Sequence, residues 1–279
     1  MSDEEPAENI GGGDAGGSRP AAFEAAAEPA TRAEAVIDAL GDLYWRKAYG
    51  GRDAFGCLVR TVLSQNTSDK ASQPAHDALL ARYGPGDESE GEGGRDLAAS
   101  LADAAVDELA ETISGAGLYN VKSERIVALA EHVVGTYGGA EGFDGFVRSG
   151  DPDTVRETLL ELDGVGPKTA DCVLLFAGGR EGVFPVDTHV HRIARRTGLA
   201  PADADHEGVR EALAASVPPE KCGFGHTATI QFGREYCTAR DPACLEGPEA
   251  CPLYDRCDRV GVNELTGEAV DPSEAVDEA

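Results

Sequence analysis

Basic residues are the scarce commodity in this chain. Its 279 residues include 51 acidic against 24 basic ones, a formal net charge of −27, and only five lysines: Lys47, Lys70, Lys122, Lys168 and Lys221. Such an excess of acid runs against binding a polyanion, and at high salt, where counterion release weakens, geometry must contribute more to any such binding. No apolar run approaches the roughly 20 residues that a membrane-spanning helix needs, and a membrane role is excluded on that ground. No stretch alternates convincingly as a strand, which excludes a sheet-based core. The acidic, glycine- and alanine-rich N-terminus has no apolar core of the kind found in secretory signals. A cytoplasmic protein is the expectation.

The acidic excess is unevenly placed. Residues 1–31, 84–100 and 261–279 carry 16 of the 27 net negative charges. They have little to bury and read as a disordered N-terminal tail, an acidic insertion loop and a C-terminal acidic tail. What remains is still acid-rich, a surface suited to a cytoplasm at molar salt, where screening makes self-repulsion cheap. The composition suggests a halophilic archaeon.

What is there is mostly helical. Apolar periodicity predicts helices over 32–49, 53–65, 68–83, 101–114, 121–137, 153–162, 167–178, 188–197, 206–216 and 224–236. Asp153 is the expected cap of the helix ending near Leu162. Gly164 and Gly166 then permit a tight turn with positive φ, and Pro167 suits the first position of the next helix. Helix, glycine hairpin, helix leaves free amides and a positive helix end facing an anion. Gly164, Val165 and Gly166 are therefore candidate phosphate contacts.

Cys237, Cys244, Cys251 and Cys257 form C-x6-C-x6-C-x5-C. In a cytosolic protein such a cluster reads as metal ligands before disulfides. Four thiolates suit zinc or an iron–sulfur cluster, and spacing does not separate the two. Cys57, Cys172 and Cys222 read as small core residues.

The string Leu162-Asp-Gly-Val-Gly-Pro-Lys-Thr-Ala170, followed by Val186-Asp-Thr-His189, resembles the hairpin and catalytic aspartate of the endonuclease III family of DNA repair glycosylases. Leu63-Ser-Gln-Asn-Thr-Ser-Asp69 resembles that family's DNA-entering loop, and Gly117–Ile126 its G-L-Y-N-x-K-A-x-x-I segment. The cysteines resemble its C-x6-C-x2-C-x5-C loop with the middle spacing four residues longer. Loop closure grows costly only slowly with length, so the insertion need not displace a ligand. Together the motifs cover about residues 32–260. Asn66 departs from the family's usual glutamine. With Phe184–His191 it resembles a branch whose plant relatives include 5-methylcytosine glycosylases.

The resemblance implies an all-α fold of two helical lobes. One, 51–178, is a helical barrel ending in the hairpin. The other combines 32–50 with 179–260 and carries a 4Fe–4S cluster on the four cysteines, with zinc as the alternative. It implies a monomeric, nucleoid-associated enzyme acting on double-stranded DNA with damaged bases or abasic sites. Lys168 would attack the sugar, expel the base and form a Schiff base that permits β-elimination, and Asp187 would stabilise the developing positive charge. A helix start and partial desolvation both disfavour an ammonium at Lys168. Similar glycosylases for mismatched adenine or alkylated purines lack this lysine and only release the base. Considered singly, Lys168 is also a plausible phosphate contact and Asp187 a plausible helix cap.

Gln65, Asn66, Lys122 and Arg192 are the further candidates for DNA contact, with Arg125, Arg195, Arg196, His189 and His191 as secondary ones. For Arg192, Arg195 and Arg196 a solvated helix paired with acids is the competing expectation. The expected substrates are oxidised pyrimidines. The same chemistry on thymine in G·T or on 5-methylcytosine is the alternative, and a non-catalytic damaged-DNA-binding module is the third reading.

Overall fold

In the computed structural model, residues 28–44, 53–85 and 96–275 are described. Most of the N-terminal tail and of the 84–100 insertion therefore lies outside the described residues. Those that are described form twelve α-helices and one two-stranded ribbon. Among them no helix is long and apolar enough to cross a membrane. They divide into two compact units, 53–180 and 28–44 with 181–275.

The first unit is built around α2 (Ala54–Ser64). Asp53 caps it by accepting from the Gly56 amide at 2.8 Å, and every residue from Ala54 to Leu63 is buried. A helix apolar on all sides belongs in the middle of a bundle. It is flanked by α3 (Asp69–Tyr83), α7 (Ala140–Ser149) and α9 (Pro167–Phe176). A second layer pairs the long α6 (Tyr119–Tyr137) with α4 (Leu97–Ala102) and α5 (Val106–Thr112). α8 (Pro152–Leu160) lies on α9, and the buried Asp171 accepts from Arg156 Nε at 2.8 Å between them.

Four local expectations change here. The pattern over 101–114 is two helices, because the chain turns at residues 103–105. Helix α7 is an addition: two internal glycines lower its propensity, and only Phe143 and Val147, one turn apart, anchor it. The cap of α8 is Asp151, whose carboxylate accepts from the Thr154 amide at 3.1 Å, while Asp153 lies inside the first turn. Asp96, counted within the acidic insertion, caps α4 through the Ala98 amide and also accepts from the Ala140 amide at 2.6 Å.

The second unit packs α1 (Arg32–Tyr44) and α10 (Thr188–Thr197) on α12 (Cys222–Glu235), which is buried from Phe224 to Gly233, and α11 (His206–Ser216) lies against α1 and α10. Close approach depends on two α12 glycines. A Cβ on Gly225 would stand 2.9 Å from Phe184, and one on Gly233 would stand 2.6 Å from His189 Nδ1. Lys221 fastens α1 through Glu34 at 2.8 Å and Asp38 at 2.6 Å.

The C-terminal segment differs from the solvated tail its composition suggests. Val262–Asn263 (β1) pairs antiparallel with Glu268–Ala269 (β2). Asp271 then grips the buried Arg195 with both oxygens, at 2.8 and 2.9 Å. Against the opposing effect of burial, Arg195 and Ser273 hold the Asp271 carboxyl well below the usual carboxylate range.

Candidate active site and cysteine cavity

In the first unit the chain turns between α8 and α9 at Gly164, whose φ of 77° is left-handed. A Cβ there would come within 2.6 Å of the Arg125 side chain. Gly166 is different from expectation: its φ is −91°, so it is not required for a left-handed turn. Its merit is open space, since a Cβ at this position would meet nothing within 4 Å. The amides of Gly164, Gly166 and Lys168 have no acceptor among the described residues. Three unpaired N–H groups at a helix start make a ready anion cradle. Val165 contributes no contact there, being buried beneath the turn.

Lys168 is the second residue of α9, half-buried, with no side-chain partner among the described residues. The following Thr169 is buried, and its hydroxyl lies 3.2 Å from Gln65 Nε2. Gln65 also donates to the Gly164 carbonyl at 3.0 Å. Its amide group thus faces the hairpin, where a DNA contact had been expected. Asn66 is exposed, with φ 51°.

Lys122 is only 2 % exposed, and burial excludes the DNA contact expected of it. Its ammonium donates to the Leu63 carbonyl at 2.8 Å and to Thr67 Oγ1 at 2.7 Å, fixing the backbone on both sides of Gln65 and Asn66. Without a carboxylate to offset its desolvation, the amine is pushed down to about 8.

Beside this loop stands a residue that the sequence reading missed. Leu118 has φ 59° and is 60 % exposed, ahead of the partly exposed Tyr119 and Val121. Gly117 adjoins Thr67 and Asn66, so the two left-handed residues are neighbours. A strained, exposed leucine is an outlier that points to function. The available signal was a cluster of apolar side chains, Leu118, Tyr119 and Val121, at the very start of a helix.

In the second unit, Asp187 is the cap of α10. One of its oxygens accepts from the Val190 amide at 2.8 Å, and the other has no partner among the described residues. His226 Nδ1 lies 2.8 Å from the Pro185 carbonyl, which holds the approach to Asp187 in place. Burial pushes the neighbouring His189 imidazole down.

The α10 arginines point inward. Arg192 donates to the Cys237 carbonyl at 2.8 Å, Arg195 holds Asp271, and Arg196 donates to the carbonyls of Thr238 at 2.7 Å and Ala239 at 3.1 Å. Arg192 is half-buried, and Arg195 and Arg196 are buried, so the three do not form a solvated helix face, although Arg195 keeps the expected acidic partner. Arg192 and Arg196 clamp the start of the cysteine loop, while Arg195 fastens the C-terminal segment through Asp271.

Cys237, Cys244, Cys251 and Cys257 all line one small, nearly closed pocket, walled by Phe232, Tyr236 and Leu253 among others. The lengthened middle spacing is taken up by two short 3-10 turns, Ala243–Glu246 and Pro248–Ala250, joined at Gly247 with φ 116°. Among the described residues no three His, Cys, Asp or Glu side chains form a group that could hold a single ion. The donor set is nevertheless four sulfurs in an apolar pocket. Burial and the neighbouring sulfurs push Cys244 and Cys257 up, the latter to about 12; burial and Cys237 do the same to Cys251. Thiolates here need a compensating cation, so the residues fit a metal cluster.

A left-handed glycine hairpin with free amides, a lysine behind it, and an aspartate on a helix cap define a class: helix-hairpin-helix proteins of base excision repair. Comparison with known proteins agrees. Residues 59–219 match the HhH-GPD superfamily of base excision DNA repair proteins. Endonuclease III of Thermotoga maritima is 34% identical over 206 residues, 74% of this chain and 83% of that one. The DNA glycosylase/AP lyase ROS1 of Arabidopsis thaliana is 32% identical over 169 residues, 54% of this chain and 12% of that one. The solved structure of a trapped endonuclease III–DNA covalent intermediate superposes with a TM-score of 0.63 at 27% identity, covering 80% of this chain and 92% of that one. The chain belongs to the endonuclease III family, and it is a DNA glycosylase with AP lyase function.

Proposed function

We propose that this enzyme removes damaged pyrimidines from double-stranded DNA with Lys168 as nucleophile. The observation that carries the reading is a half-buried lysine without a partner among the described residues, one residue past a hairpin with free amides at Gly164, Gly166 and Lys168 itself. The cradle seats a backbone phosphate. The Lys168 amine attacks C1′ of the flipped nucleotide, the glycosidic electron pair leaves with the base, and loss of the ring oxygen's bond to C1′ yields the Schiff base. Removal of a C2′ proton then expels the 3′ phosphate by β-elimination. The free oxygen of Asp187 stabilises the positive charge developing on the sugar, while its other oxygen keeps the helix cap. Asn66 and Leu118 form the tip that enters the duplex at the vacated position.

Cys237, Cys244, Cys251 and Cys257 would hold a 4Fe–4S cluster. Bound there, it would cross-link residues 237–257 beneath α10 and α12, stiffening a DNA-docking surface. Iron and labile-sulfide analysis of the purified protein distinguishes it from zinc.

The test is borohydride trapping at molar salt on duplexes each carrying thymine glycol, a dihydropyrimidine, uracil, a G·T mismatch, 5-methylcytosine or an abasic site. An adduct with wild type that is lost in Lys168→Ala, formed fastest on an oxidised pyrimidine, is the expected result. An adduct retained in Lys168→Ala would remove Lys168 from the role. Fastest reaction with 5-methylcytosine or G·T would reassign the substrate.

A further inference from the structure

The DNA-entering loop and the start of α9 are joined by one side chain. Gln65 donates from Nε2 to the carbonyl of Gly164 and to the hydroxyl of Thr169, at 3.0 and 3.2 Å. These acceptors flank Lys168, one at the left-handed turn and one in the residue that follows it. Both protons of the amide are therefore committed to the segment that presents the nucleophile.

The other end of the link is equally constrained. The Gln65 amide donates to Val62 O at 3.2 Å, and its carbonyl accepts from Thr67 Oγ1 at 3.1 Å. Lys122 pins Leu63 O and Thr67 Oγ1 from below. Between these anchors only Asn66 is left exposed, at φ 51°. A displacement of Asn66 on entering the duplex has no slack to take it up before Gln65, and Gln65 ends on the hairpin.

We propose that Gln65 is a positioning residue for the lyase and glycosylase steps, coupling insertion of the Asn66 tip to the placement of Lys168. It touches neither base nor sugar, and it acts by holding Gly164 and Thr169 in register. The inference rests on Lys168 being the nucleophile. Its signature is a split between chemistry and binding: DNA grip stays with the amides and the tip, whereas the amine loses its register.

The test compares wild type, Gln65→Met, Thr169→Val, the double variant and Lys168→Ala. Each is measured for affinity to a duplex bearing a tetrahydrofuran abasic analogue, and for single-turnover borohydride trapping on a true abasic duplex. Gln65→Met keeps the length and loses both donors. Its trapping rate is expected to fall about 30-fold, or ~2 kcal/mol, with affinity within about threefold of wild type. Thr169→Val removes one acceptor and should lose about fivefold alone but nothing further in the Gln65→Met background, as groups sharing one interaction require. It also probes the link should Gln65→Met fail to fold. Parallel losses of rate and affinity, unchanged rates, or additive losses in the double variant would overturn the proposal. Trapping retained in Lys168→Ala would overturn the nucleophile assignment and this inference with it, whereas trapping lost there with unchanged Gln65→Met rates would overturn the inference alone.

Discussion

Replacing Lys122 by methionine tests the anchor beneath the Gln65–Asn66 loop through its dependence on pH. The buried amine is held at about 8, against an ordinary 10.5. Below about pH 8 both folded and unfolded chains carry the proton, and the fold bears a desolvation cost of ~3 kcal/mol. Between about 8 and 10.5 the unfolded chain still binds the proton that the folded chain has released, so wild-type stability rises by about 1.4 kcal/mol per pH unit. Methionine removes this titration but leaves Leu63 O and Thr67 Oγ1 without their donor, at a cost of about 1–3 kcal/mol. At pH 7 the two effects nearly cancel, and the variant should unfold close to wild type. By pH 10 wild type should be ahead by about 2–3 kcal/mol more than at pH 7. Urea unfolding of both proteins at constant molar salt, from pH 7 to pH 10, reads that difference. A gap between the two that stays constant with pH would refute the buried, carboxylate-free amine.

Two further outcomes follow from the site. Asp187→Asn should keep the α10 cap and leave the melting temperature within about 2 °C, while borohydride trapping slows at least tenfold; Asp187→Ala should lose about 1 kcal/mol of stability as well, measured by urea unfolding. Gly164→Ala places a side chain at φ 77° and should cost roughly 1–2 kcal/mol, whereas Gly166→Ala, at φ −91° with open space, should leave stability unchanged or slightly raised and weaken abasic-DNA binding measured by fluorescence anisotropy.

Much of the helical layout was legible because the signals were local. Pro167 after Gly166 marks a helix start, and the apolar spacing within 53–65 and 188–197 sets their helices, all through residues in contact along the chain. What escaped were contacts made at a distance. Asp96 caps α4 and reaches the amide that opens α7, 44 residues away, so its place in an acidic stretch concealed a structural role. The 101–114 pattern kept its phase across a break, as Leu101, Leu109 and Ile113 stay buried on either side of it. At the site, the types and order of Lys168, Asp187 and the cysteines were readable from motifs. The direction of Arg192, Arg196 and Gln65 was not, because their acceptors lie 41 to 104 positions along the chain. Sequence gives a side chain's charge, and packing decides where that charge points.

The inward arginines of α10 bear on how such an enzyme searches a genome. Lys122 is buried, Lys221 is bound to two carboxylates, and Arg192, Arg195 and Arg196 are engaged with carbonyls and Asp271. If the hairpin amides carry most of the phosphate contacts, as proposed, few condensed counterions are displaced, and affinity for undamaged duplex should fall only gently as salt rises. Weak, salt-tolerant residence on ordinary sequence means short sliding runs and frequent dissociation. Scanning would then proceed by hopping from segment to segment, with the proposed Asn66–Leu118 tip testing for a helix already loosened.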